Sequence, residues 1–184
     1  MTISHPHPVL AVSDTRGRSS RFSLGSAFQR IVATDDGVAP LVARLALGLV
    51  LFPHGAQHAL GWFGGYGFSG TLGWMTGTLG FPAPLAALGI ITELVAPLLL
   101  IAGAGARLAG ALLFFHMAFA ASTHLKTGFF MNWFGSLPGG AEGFEYHLLA
   151  MALALVVALA GSGRYSLDRV LARQRALSVT SGAS

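Results

Sequence analysis

Four long apolar runs organise the chain, over residues 40–60, 82–103, 106–125 and 144–159. A helix needs about 20 mostly apolar residues to cross ~30 Å of hydrocarbon. The pattern therefore predicts four transmembrane helices within residues 38–163. Asp35 and Asp36 precede the first run, and Pro40 suits a first helical turn. The Gly- and aromatic-rich stretches 61–81 and 126–143 read as loops. A short Gly-Ala-Gly-Ala turn at 103–106 joins the second and third runs as an antiparallel pair. The predicted fold is all-α: a bundle of four transmembrane helices.

The flanks differ in kind. Residues 1–37 are rich in Ser, Arg, Pro and Gly, with no long apolar core and no cleavage pattern. They read as a tail rather than a signal peptide. Leu24, Ala27, Phe28 and Ile31 share one stripe, which allows a short interfacial helix over 21–33. Residues 164–184 read as a second tail.

Charge sharpens this picture. Only 18 of 184 residues are charged, 11 Lys and Arg plus 7 Asp and Glu. A soluble domain of average composition would carry about 46. Arginines 16, 18, 21, 30 and 44 lie before or early in the first run, Arg107 follows the tight turn, and arginines 164, 169, 173 and 175 follow the fourth run. With four crossings these all fall on one side. Both termini are expected in the cytoplasm, and the multi-pass protein in the inner (plasma) membrane. The net charge of +4 is thus a matter of orientation, and no nucleic-acid partner is expected. The chain has no Cys, so thiolate metal sites, iron–sulfur clusters and disulfides are excluded.

Three ionisable residues fall near mid-depth. At 1.5 Å per residue, His54 lies ~15 Å inward of Arg44, Glu93 ~16 Å from Pro82, and His116 ~14 Å from Arg107. A carboxylate at a helix centre costs roughly 2.5–3.5 kcal/mol on insertion scales, so Glu93 should face the bundle interior and a partner. Pro97 frees the Glu93 carbonyl, and Pro53 frees that of Leu49. His54 and His58 share a helix face, and His124, Glu145 and His147 lie toward the outer end. Glu145 and His147 are two apart and point to nearly opposite faces. A polar cavity open to the outer side is expected, with Glu93, His54 and His116 as candidate catalytic groups. His58, Trp62, His124, Glu145 and Tyr146 are candidate ligand-binding groups. No metal site is assigned. The outer aromatics, among them Trp62, Phe63, Tyr66, Phe68, Trp74, Phe129, Phe130, Trp133 and Phe134, suit either ring stacking or the ordinary interfacial belt.

His54-Gly55-Ala56-Gln57-His58-Ala59-Leu60-Gly61-Trp62-Phe63-Gly64-Gly65 resembles the first-span signature of the DoxX family of small four-span membrane proteins. Glu93, Gly103 to Arg107, His124 with Gly128-Phe129-Phe130, Glu145-Tyr146 and Gly161 to Asp168 follow in matching order, so the resemblance spans roughly residues 40–171. It implies a link to membrane oxidoreductase complexes, including a thiosulfate:quinone oxidoreductase with similar small subunits. Other members of the wider group serve redox-stress complexes or act as chaperones or cargo receptors. The family's usual first-span lysine is here His58, a titratable ring in place of a permanent cation.

Two functions compete on these grounds. One is a quinone-associated redox protein or subunit, with quinone as the suspected cofactor and other membrane or redox subunits as partners beside lipid. The other is a non-enzymatic scaffold or assembly factor. Haem b held by His54 and His116 is a lesser alternative, and self-association into a homo-oligomer stays open.

Overall fold

The computed structural model describes residues 31, 33–34, 36–138 and 141–181. Most of residues 1–37, and with them the interfacial helix expected over 21–33, lie outside the described residues. In chain order the helices are α1 (Val38–Leu60), a 3-10 turn (Trp62–Gly64), α2 (Gly67–Gly77), α3 (Ala83–Ala102), α4 (Ala106–His124), α5 (Glu145–Ala160) and α6 (Leu167–Ser181). Among the described residues there is no strand.

Helices α1, α3 and α4 are long and apolar enough to cross a membrane. Helix α5 is apolar but has 16 residues, about 24 Å of rise. The four pack in a ring in which α1 meets α3, α3 meets α4, α4 meets α5 and α5 meets α1. Small residues line the inside: Ala43, Ala56, Ala96, Ala109 and Ala154 are buried, together with Leu47, Leu51, Leu100 and Leu113. Large apolar side chains such as Leu49, Leu88, Ile91, Leu108 and Leu149 are exposed. Small inside and large outside is the arrangement of helices that pack closely in lipid.

Two expectations change. The stretch 61–81 is not a plain loop, because α2 forms within it and packs on α1 and α3. Its glycines at 67, 70, 73 and 77 give it poor intrinsic helicity, so tertiary packing supplies what propensity lacks. The C-terminal stretch is likewise helical from Leu167 to Ser181.

The arginine-bearing end of the bundle is tied by side chains. Arg44 is not a water-facing charge: it is 1% exposed. Its Nε donates to Ser162 O at 2.7 Å, Nη1 to Leu100 O and Ile101 O at 2.7 and 2.8 Å, and Nη2 to Arg164 O and Tyr165 O at 3.2 and 2.7 Å. All five guanidinium donors are used. The acceptors at 100 and 101 belong to the last turn of α3, whose carbonyls lack helical partners and carry the negative end of the dipole.

Asp168 does the opposite job. It is 2% exposed, and its carboxylate accepts the N–H groups of Gly105 and Ala106 at 2.7 and 3.0 Å. Helix α4 has no side-chain cap of its own at Gly105, so a residue from α6 caps it. Asp168→Ala should cost about 2 kcal/mol, with Asp168→Asn losing less. Thermal unfolding in detergent checks this; equal midpoints for wild type and Asp168→Ala would refute the cap.

Candidate functional site

Helix α1 places the half-buried His58 and the exposed His54 along one side of the site, and α3 brings the buried Glu93 against His58. Two features let the helices approach there. Pro97 removes the N–H that the Glu93 carbonyl would accept, and Gly55 has no side chain. A Cβ at Gly55 would lie 2.5 Å from the Glu93 carbonyl carbon and 2.7 Å from Leu94 Cα. This contact sets the Glu93 side chain against α1.

The result is a three-residue cluster. His58 Nδ1 lies 2.6 Å from Glu93 Oε2, with the ring N–H donating to the carboxylate. His116 Nε2, from α4, lies 3.9 Å from the same oxygen. The Glu93 side chain is 10% exposed, that of His116 16%, and that of His58 41%. His58 therefore connects a buried carboxylate to open space.

The cluster lies in a cavity of about 330 Å³. His54, His58, Glu93, His116, His124, Tyr146 and His147 all line it, with apolar walls from Leu51, Ile90 and Met117. His54 and Tyr146 approach with ring centroids 6.3 Å apart, and His124 lies 4.8 Å from His147. His124 also bonds through Nδ1 to Glu142 O at 2.9 Å. Five of the seven histidines thus share one cavity.

Two expected site residues lie elsewhere. Trp62 does not line the cavity; it is half exposed and packs edge-on against Phe52 and Phe63. The left-handed turn at Gly61 ends α1 and carries the indole outward. Glu145 also lies off the cavity. It accepts the Met131 N–H at 3.1 Å and the Trp133 Nε1–H at 2.6 Å, which pins the second outer loop. Its near neighbour His147 takes the inward position, as their opposed directions require. Of the nine outer aromatics, only Trp74 lines the cavity.

Helix α2 adds Thr71 and Met75, which the sequence reading missed, beside the Trp74 that it named; all three line the cavity. Their i, i+3, i+4 spacing is a helical signature, hidden by the surrounding glycines. Among the described residues, Thr71 Oγ1, Tyr146 Oη and His147 Nδ1 are buried side-chain polar atoms without a hydrogen-bond partner. All three belong to this cavity. Such groups cost about 1–3 kcal/mol each when left unmet, and in native structures they call for a water, an ion or a ligand. Among the described residues, no group of three or more His, Asp or Glu is placed to hold a metal ion.

Comparison with known proteins agrees with this part of the chain. The DoxX family model matches residues 39–126. No curated protein and no solved structure matches the chain. The matched span holds α1 to α4, with His54, His58, Glu93, His116 and His124; Tyr146, His147 and the Asp168 cap lie beyond it. Residues 39–126 are therefore similar to the DoxX family, and they hold three helices long and apolar enough to cross a membrane.

Proposed function

We propose that the cavity binds the ring of a quinone, and that the protein is a quinone-associated redox protein or a subunit of a membrane oxidoreductase complex. The observation that carries this reading is the grouping of three unpartnered buried polar atoms with the His58–Glu93–His116 cluster inside one cavity. The residues suit a quinone: apolar walls for a ring, hydroxyls on Thr71 and Tyr146 to donate to ring oxygens, and a carboxylate bracketed by two imidazoles. At about 330 Å³ the space lies at the small end of the range for organic ligands, right for one ring.

A bound quinone supplies reversible two-electron, two-proton chemistry. The chain's own part is to bind, orient and move protons. Glu93, held by His58, is the proton acceptor nearest the middle of the membrane. His58 hands the proton toward the open side, and His116 steadies the carboxylate charge from α4. Tyr146 and Thr71 orient the ring. The electrons come from a partner subunit. In this reading α5 is the fourth crossing, the arginine-bearing end and both termini are cytoplasmic, and the membrane is the plasma membrane.

The test is gentle solubilisation, purification, and organic extraction combined with a reduced-minus-oxidised spectrum. Quinone should be recovered with the wild-type protein, and Glu93→Gln should retain about tenfold less at an unchanged melting temperature. Native membrane particles with no quinone signal, or equal retention by Glu93→Gln, would defeat the proposal. Sharp visible bands would replace it with the haem reading.

A second reading, a scaffold or assembly factor, draws on another observation. Tyr66, Phe130, Trp133 and Phe134 of the outer loops are each more than two-thirds exposed, a surface on which a partner could sit. It calls for stoichiometric recovery with a larger complex and no ligand in the cavity.

A further inference from the structure

The polar cavity is not isolated. A second hollow, of about 240 Å³, lies between α3 and α4. The two share Met75, Phe81, Gly89, His116 and Phe119 as lining residues. The rest of the second hollow is almost wholly apolar, with Leu85, Leu88, Leu112 and Phe115 each at least 44% exposed on the outside of the bundle. It is an apolar groove on the outer face of the bundle.

His116 is the partition. Its Nε2 faces Glu93 at 3.9 Å, while Cε1 would lie 3.6 Å from a Cβ added at Gly89. Gly89 carries no side chain, so the wall beside the imidazole is thin. Phe81 and Phe119 meet with centroids 4.7 Å apart and ring planes tilted by 51°, and both belong to both spaces. From Leu85 to Thr92 the groove follows about two turns of α3, or ~10 Å. Apart from His116 its polar lining is Thr92, so nothing in it would hold a phosphate headgroup.

We infer that this groove is the lateral access route from the membrane to the cavity, and that it holds the hydrocarbon tail of the amphiphile whose ring sits at Glu93. The inference rests on the quinone reading and adds the tail, its place and the route. The occupant is one isoprenoid or alkyl chain joined to a polar ring. An ordinary phospholipid has the chain but no ring to fill the cavity.

The experiment uses the full chain in lipid nanodiscs and two probes. One is a benzoquinone without a tail; the other carries a decyl tail ending in a diazirine. Binding of the first is read by quenching of the Trp74 fluorescence, with Trp74→Phe as the control. Photolysis of the second should label Leu88, Leu112 or Phe115, and an excess of the tail-less quinone should displace the label by displacing the ring. Leu112→Trp, which fills the groove without lining the cavity, should cut labelling severalfold and leave quenching by the tail-less quinone intact. Ring binding with the label on another face of the bundle overturns the tail assignment alone. Labelling of the groove that the tail-less quinone does not displace overturns it too, since the chain there is then not tied to a ring in the cavity. No quenching by either probe overturns the quinone reading, and the tail assignment with it.

Discussion

Arg44→Ala is expected to lower the stability of the bundle by about 3–5 kcal/mol, the largest loss from any single side chain. Folded proteins have about 5–15 kcal/mol in hand, so much of the variant should be recovered unfolded or aggregated. The reason is geometric. One guanidinium donates to carbonyls of residues 100, 101, 162, 164 and 165, which ties the end of α3 to the link between α5 and α6. Removing it frees three segments at once, takes the guanidinium donor from the Ile101 carbonyl and leaves that of Leu100 with only the Gly103 N–H. Arg44→Lys keeps the charge but has three donors for five acceptors, so it should fall between alanine and wild type. Thermal unfolding in detergent, with the fraction recovered as a single species, measures this. An alanine variant melting within a degree or two of wild type would show that the network contributes little.

Gly55→Ala should have the second largest effect, chiefly on the site. Ordinary carbon–carbon contacts are about 3.5–4.0 Å, and the added methyl would start 2.5 Å from the Glu93 carbonyl carbon. The neighbour is backbone inside a helix and cannot rotate away. Helices α1 and α3 must separate by about 1 Å, at a cost of roughly 1–3 kcal/mol. The His58–Glu93 hydrogen bond, 2.6 Å in the native protein, spans that same junction. A shift of 1 Å at a reacting centre can lower a rate by about 100-fold, so under the proposed function quinone-dependent activity should fall far more than stability. Gly73→Ala is the control, because a Cβ there meets nothing within 4 Å. Loss of activity equal in the two variants would mean that close approach at Gly55 is not what sets the cluster.

The polar map of the site was partly legible before any coordinates. Counting residues inward places His54, Glu93 and His116 at a common depth, and these three do line one cavity. The choice between Glu145 and His147 was not legible. Each begins the same helix, and only the rotation of α5 against α4 turns His147 inward and leaves Glu145 to Trp133. Trp62 was misplaced for a similar reason: the turn at Gly61 redirects the chain just before it. The His58–Glu93 contact joins residues 35 apart in sequence, and no spacing rule links them.

The amino-acid pattern alone marks where the long apolar helices lie and which polar residues fall midway along them. Apolar run length and residue count are local properties, and α1, α3, α4 and α5 begin and end within two residues of the runs that predict them. Tertiary structure alone decided that Arg44 cross-links carbonyls, that Asp168 caps a helix 62 residues before it, and that a glycine-rich stretch folds as α2 over the cavity. Those outcomes depend on helix rotation and close approach, which arise from many packed contacts at once and leave no periodic mark in the chain.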